Sequence, residues 1–226
     1  MNKVFFKNLG IIDFKDAWDL QEDLLNTIVL EKRAGKKTKS HLLFCQHPHV
    51  YTLGKSGDKK NLLLSSEGLS SAGASFYKIN RGGDITYHGP GQLVVYPIFD
   101  LDNFFTDIHL YLRCLEDVVL GVLSEYGLRG ERISGSTGVW LAKKNKDYSK
   151  ICAMGVRASR WVTMHGLAFN VDVDLDYFKN IIPCGISRWG VTSLSSEIGE
   201  RVSFFDVEDY FKFYFEKVFD CRIIDS

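Results

Sequence analysis

The sequence has no long apolar run. Its strongest stretch, Leu93 to Phe99, is far short of the roughly 18 residues that a membrane-spanning helix needs, so no membrane partner is expected. It has no surplus of charge: 28 Lys+Arg stand against 28 Asp+Glu. Without a global field a polyanion is not held, which sets nucleic acid aside as a partner. Proline is scarce, with four in 226 residues, and no Pro/Gly/Ser-rich stretch offers a linker. Residues 1–226 are therefore expected to form a single domain. The five cysteines (Cys45, Cys114, Cys152, Cys184 and Cys221) are odd in number, scattered, and without a C-x-x-C pair. That excludes a disulfide framework and a clustered zinc site, and points to free thiols in a reducing compartment.

Familiar ligand motifs are missing too. Gly54-Lys55-Ser56 ends like a phosphate-binding loop, but His49 stands where the leading glycine is needed, and Gly35-Lys36-Lys37-Thr38 fails likewise at Leu30. Gly89-x-Gly91 runs on to Val94, so the dinucleotide fingerprint fails. There is no H-E-x-x-H and no G-x-S-x-G. His47-Pro48-His49 lacks further ligands and reads as a loop, so neither a metal nor a cofactor is expected. The stretch at 1–18 is broken by Lys7, Asn8, Asp13 and Lys15 and does not read as a secretion signal; a cytoplasmic, bacterial setting is expected.

What is present is ample apolar material, 45% of residues, in segments of clear periodicity, so disorder is excluded as the main state. Ala17, Leu20, Leu24 and Ile28, widened by Trp18, Leu25 and Val29, predict a helix over 16–31. A helix is predicted over 107–126, capped by Thr106, and another over 206–219. Strands are predicted at 41–46, 91–99, 137–142, 150–158 and 164–172. The interleaving gives a mixed α/β (α+β) class. The basic run from Glu31 to Lys39 reads as a solvated helix end or a surface for an acidic partner.

Two stretches suggest chemistry. Arg81-Gly82-Gly83-Asp84-Ile85-Thr86-Tyr87-His88-Gly89-Pro90-Gly91-Gln92 packs four glycines and several polar groups into a short span. It is either a glycine-rich hairpin turn or a loop that brings backbone close to a ligand. Pro183-Cys184-Gly185 puts a thiol on a turn, where it is either reachable or merely small and buried. A reactive thiol needs a base, because the thiolate is the nucleophile. His88, His165 and Lys150, which begins the apolar strand at 150–156, are candidates. On a regular strand Lys150 and Cys152 share a face, so spacing does not choose between Cys152 and Cys184.

The segment 81–93, taken with its companions, resembles the octanoyltransferases of lipoate biosynthesis, also called lipoyl(octanoyl) transferases. The companions are Gln46-His47-Pro48 with Val50-Tyr51-Thr52-Leu53-Gly54, then Gly138-Val139-Trp140, Lys150-Ile151, His165-Gly166-Leu167-Ala168-Phe169-Asn170-Val171, Pro183-Cys184-Gly185-Ile186 and Gly190-Val191-Thr192-Ser193-Leu194. Together they span about 40–200 in the family order. Cys152 stands where Ala or Gly is usual, and the proline common before Gly138 is missing.

The resemblance implies the fold of the lipoate/biotin ligase catalytic domain. It implies transfer of an octanoyl group from octanoyl–acyl carrier protein to a lysine of a lipoyl domain, of a 2-oxoacid dehydrogenase or of the glycine-cleavage H protein, through a cysteine thioester. It implies Cys184 as nucleophile, Lys150 as its basic partner and His88 beside them. Acyl-binding stretches are implied at Arg81, Gly82, Gly83, Asp84, Ile85, Thr86 and Tyr87, at Ala153, Met154 and Gly155, and at Gly166, Leu167 and Ala168. An apolar slot would include Val139, Met154, Leu167 and Ile186, with backbone N–H groups near Cys184 or Gly155 for the oxyanion. Two other readings are an ATP-dependent lipoate–protein ligase of the same fold, which needs no cysteine, and a non-catalytic relative that binds acyl carrier protein or a lipoyl domain.

Overall fold

The computed structural model describes residues 1–144, 147–182 and 189–225. The strands are β1 (Asn2–Ile11), β2 (Ser40–Gln46), β3 (Val50–Leu53), β4 (Ser75–Lys78), β5 (Ile85–His88), β6 (Gln92–Ile98), β7 (Gly130–Ile133), β8 (Ser136–Ala142), β9 (Tyr148–Ser159), β10 (Val162–Asn170), β11 (Gly190–Val191) and β12 (Cys221–Asp225). The helices are α1 (Phe14–Arg33), α2 (Ser66–Ser71), α3 (Ile108–Glu125), α4 (Leu194–Ile198) and α5 (Phe204–Phe219). The large sheet runs β12-β1-β2-β6-β10-β9-β8-β7, with β11 added beside β9; a small sheet runs β4-β3-β5. The expected mixed α/β class is the observed one.

The apolar runs at 41–46 and 91–99 are the middle of the large sheet, covered on both faces. Alternation divides them. Leu42, Phe44, Leu93, Val95, Leu167 and Phe169 pack with α3 and α5, while Leu43, Cys45, Val94, Tyr96 and Ala168 pack with α1. Two covered faces explain why these strands read as continuous hydrophobic stretches. On α1 the inward stripe is Ala17, Gln21, Leu25 and Ile28, with Leu20 and Leu24 flanking it. Asp107, not Thr106, caps α3: its carboxylate accepts from the N–H groups of His109 and Leu110 at 2.8 and 3.0 Å. In the basic run, Lys32 turns inward to Asp100 and Asp102 at 2.5 and 2.8 Å. Among the described residues no helix is long and apolar enough to cross a membrane.

The glycine-rich segment is not a hairpin. β5 pairs antiparallel with β3 in the small sheet, and β6 pairs with β2 and β10 in the large one. The turn between them carries the chain from one sheet to the other. Gly91 sits there at φ +84°, and a Cβ on it would lie 2.4 Å from the Asp172 carbonyl oxygen, so only glycine fits.

Candidate active site

A cavity of about 570 Å³ lies between the glycine-rich loop and the large sheet. Ala153, Met154 and Gly155 of β9 and Gly166, Leu167 and Ala168 of β10 form its floor, and these two triplets are direct neighbours in register. Arg81, Gly82, Gly83, Asp84, Ile85 and Thr86 cover it, with His88 beside them, and Lys150, Trp140 and Trp189 also line it. Stretches far apart in the sequence thus meet around one space whose lining is mainly apolar, suited to a chain with few polar atoms.

The cover is braced by its own backbone. N–H groups of Gly54, Lys55 and Ser56 donate to the carbonyls of Asp84, Arg81 and Gly83 at 3.1, 2.9 and 3.2 Å, and the Gly82 N–H donates to Val156 on β9 at 2.9 Å. The segment that imitates a phosphate loop spends its donors on this neighbour. The Asp84 carboxylate accepts from Asn61 Nδ2 at 2.6 Å and from the Ile85 N–H at 2.7 Å.

A buried polar line runs from this cover to Lys150. Arg81 Nη2 donates to the carbonyl and hydroxyl oxygens of Thr52 at 2.9 and 3.1 Å. Gln92 Nε2 donates to Tyr87 O and Asn170 Oδ1 at 3.2 and 2.9 Å. That fixes the Gln92 amide so that its oxygen accepts from His88 Nδ1 at 2.8 Å. His88 Nε2 is then the acceptor, 3.5 Å from the Thr52 hydroxyl. Asn170 Nδ2 donates to Thr192 O at 2.8 Å, and the Thr192 N–H donates to the Lys150 carbonyl at 3.0 Å. Burial, with Arg81 and two other histidines nearby, pushes His88 down to about 3. The ring is thus neutral, with Nδ1 engaged by Gln92 and Nε2 facing the Thr52 hydroxyl.

Lys150 enters from the end of β9. β10 stops at Asn170, and β11 takes its lane, pairing Val191 with Lys150. The chain just downstream of 183–188 is therefore held against Lys150. Lys150 Nζ lies 4.4 Å from the Trp140 ring centroid and donates to Thr137 O at 3.4 Å.

Several expectations change. Pairing slips between Val139↔Cys152 and Trp140↔Lys150, so β9 carries an extra residue there and simple alternation fails. Cys152 is buried in the core, and burial pushes its thiol well up. Val139 is likewise buried in the core against α3 and does not line the cavity. Tyr87 points from β5 into the small sheet's aromatic cluster with Tyr51, Tyr177 and Phe178, its hydroxyl 2.7 Å from His49 Nδ1. Thr86 and His88, its neighbours on the strand, line the cavity instead. His47 and His49 go separate ways: His47 binds Ile12 O and Tyr96, and His49 stacks on Tyr177. Pro183, Cys184, Gly185 and Ile186 lie outside the described residues.

Two residues escaped the sequence reading. Gln21, on the buried stripe of α1, accepts from the His165 N–H at 2.9 Å and holds that residue at φ +58° beside the cavity. Glu116, fully buried on α3, accepts from the Gly138 N–H at 3.1 Å. Each is a polar residue on an otherwise apolar stripe, which was the available signal.

The comparisons agree with this architecture. Residues 13–216 match the family model described as the lipoyl protein ligase A/B catalytic domain. An octanoyltransferase of Christiangramia forsetii is 56% identical over 99% of this chain and 99% of the relative. One of Flavobacterium psychrophilum is 54% identical over 99% and 100%. A solved lipoate protein ligase of Thermoplasma acidophilum shares the fold, with a TM-score of 0.69 at 15% identity over all of this chain and 86% of that one. A lipoate-protein ligase A solved with ATP gives 0.67 at 16% identity, over all of this chain and 88% of the other. A match over nearly the whole chain, and octanoyltransferases at more than half identity, lead to one conclusion: the chain belongs to the lipoyl protein ligase A/B catalytic-domain family, among its octanoyltransferases.

Proposed function

We propose that this chain works as one catalytic unit in the cytoplasm, moving an octanoyl group from octanoyl–acyl carrier protein to a lysine of a lipoyl domain, with Cys184 and Lys150 as the reacting pair. The observation that carries this reading is the apolar cavity that includes Lys150 at its lining. Burial there would stabilise the acyl tail by about 0.8 kcal/mol for each CH₂. Cys45, Cys114, Cys152 and Cys221 are free but buried, and burial raises every one of their thiols. They are poor nucleophiles, which supports Cys184 in the role.

Neutral Lys150 accepts the Cys184 proton. The thiolate attacks the thioester carbonyl, a new C–S bond forms, the carrier's C–S bond breaks, and the Lys150 ammonium protonates the leaving carrier thiolate. In the second half the acceptor amine attacks the acyl-enzyme and the amide C–N bond forms. Cys184 leaves as thiolate, and Lys150 takes the amine proton and returns it to the sulfur. The donor is already an activated thioester, so the sequence of steps needs no cofactor.

The test is intact-protein mass spectrometry after incubation with octanoyl–acyl carrier protein and no ATP, for the wild type and Cys184→Ser. One hydroxylamine-labile octanoyl mass on the wild type alone is expected. Equal labelling of the variant, or none of the wild type, overturns the reading.

A further inference from the structure

We infer that Glu116 is a positioning residue for Lys150, acting through the single peptide bond between Thr137 and Gly138. The inference rests on the role proposed for Lys150 above. No cis peptide bond is present among the described residues, so the C=O and N–H of this peptide point in opposite directions. On one side the Gly138 N–H donates to Glu116 Oε1 at 3.1 Å. On the other the Thr137 carbonyl accepts from Lys150 Nζ at 3.4 Å. A buried carboxylate on α3 and the Lys150 amino group on β9 therefore hold the two ends of one dipole.

The arrangement is specific on both sides. Glu116 divides its oxygens. Oε2 takes Arg132 Nε at 2.8 Å and Arg113 at 2.9 Å, while Oε1 takes the peptide. Two guanidinium partners make the carboxylate a charge-assisted acceptor, and a negative charge at the N–H end of a peptide draws electron density toward its carbonyl end. Gly138 has φ +118°, a region L side chains avoid. A Cβ there would lie 2.5 Å from the Cys152 carbonyl oxygen and 3.6 Å from Lys150 Cε. The peptide thus stands in an orientation that glycine alone adopts readily, with the lysine stem close by. The two arginines account for the pairing of Glu116 Oε2, and Oε1 is left to the Gly138 N–H.

The experiment measures steady-state octanoyl transfer, with acyl-enzyme formation by rapid quench, for Glu116→Gln, Glu116→Leu and Lys150→Ala in the full chain. Glu116→Leu removes the acceptor and is expected to lower kcat by about tenfold or more, with KM for octanoyl–acyl carrier protein within about twofold. Glu116→Gln keeps an oxygen for the Gly138 N–H and loses the charge, so its kcat is expected between wild type and Leu. Wild-type kcat in Glu116→Gln and in a folded Glu116→Leu overturns the inference, as does a loss confined to KM or to thermal stability. If Glu116→Leu does not fold, Glu116→Gln decides alone, and an unchanged kcat overturns it. Lys150→Ala separates the two readings. If it forms acyl-enzyme at the wild-type rate, the role of Lys150 fails; if it is slow while the Glu116 variants are not, the inference fails by itself.

Discussion

Gly166 of β10 and Val95 of β6 approach so closely that a Cβ at residue 166 would lie 2.2 Å from the Val95 carbonyl oxygen. The obstacle is backbone in the centre of the large sheet, which has nowhere to go. Gly166→Ala is therefore expected to destabilise the protein by about 1–3 kcal/mol or more. At Gly82, in the cavity cover, the nearest atom to an added Cβ is Val156 O at 3.4 Å, and Gly82→Ala is expected to keep the wild-type stability. Urea unfolding of the two variants checks the contrast; equal midpoints would contradict it.

Gln92 satisfies three buried groups at once, His88 Nδ1, Tyr87 O and Asn170 Oδ1. Gln92→Leu has nearly the same volume but leaves them unpaired, at about 1–3 kcal/mol for each. The structure also predicts a kinetic effect, because the broken line runs to the Lys150 backbone. A fall in kcat measured well below the melting temperature of the variant is expected; a loss of stability with full kcat would restrict the network to a role in folding.

Three buried histidines make the fold acid-sensitive. Burial pushes His47 down to about 4 and His88 and His165 to about 3, so all three stay neutral in the native state at pH 5 while the unfolded chain takes up protons there. Stability is complete above the unfolded value, about 6.5, and declines as pH falls toward the native values. Each histidine removes about 2 kcal/mol between pH 6.5 and 5. A melting temperature clearly lower at pH 5 than at pH 7.5 is expected, and His47→Gln should flatten that dependence. A flat profile in the wild type would show that these rings are not held neutral.

Alkylation should report the burial of thiols directly. Native protein treated with iodoacetamide near neutral pH and mapped by mass is expected to resist modification at Cys45, Cys114, Cys152 and Cys221, all buried. In denaturant all five cysteines should react. Rapid native labelling of Cys152 would reopen it as a nucleophile.

Sequence periodicity carried much of the fold. Helices α1, α3 and α5 and strands β2, β6, β8, β9 and β10 lie within a few residues of where the apolar spacing puts them. Strands β1, β12, β3 and β5 were not visible, for a physical reason. β1 mixes Val4 and Phe6 with Lys3, Lys7 and Asn8, and only its pairing with β12 and β2 makes it a strand. β3 and β5 sit beside prolines and glycines and owe their stability to the aromatic cluster of Tyr51, Tyr87 and Phe178. In the site, the glycine-rich segment, Lys150 and the paired triplets of β9 and β10 were legible as motifs. Glu116 and Gln21 were not, because a polar residue on a helix stripe declares its partner only once the neighbouring strand is in place. The slip at Ile151 that separates Lys150 from Cys152 depends on how β8 pairs, which one strand's spacing cannot encode.

The parallel pairing of β1 with β12 has a consequence for biosynthesis. β12 follows β1 by most of the sequence, so one of the two edges of β1 stays open until the whole intervening chain and β12 itself have been made. Such distant pairing is slow to close, and an open strand edge invites association between nascent chains. The exposed Lys3 and Lys7 on that strand place charge along it, and charge is a usual guard of an edge that must wait.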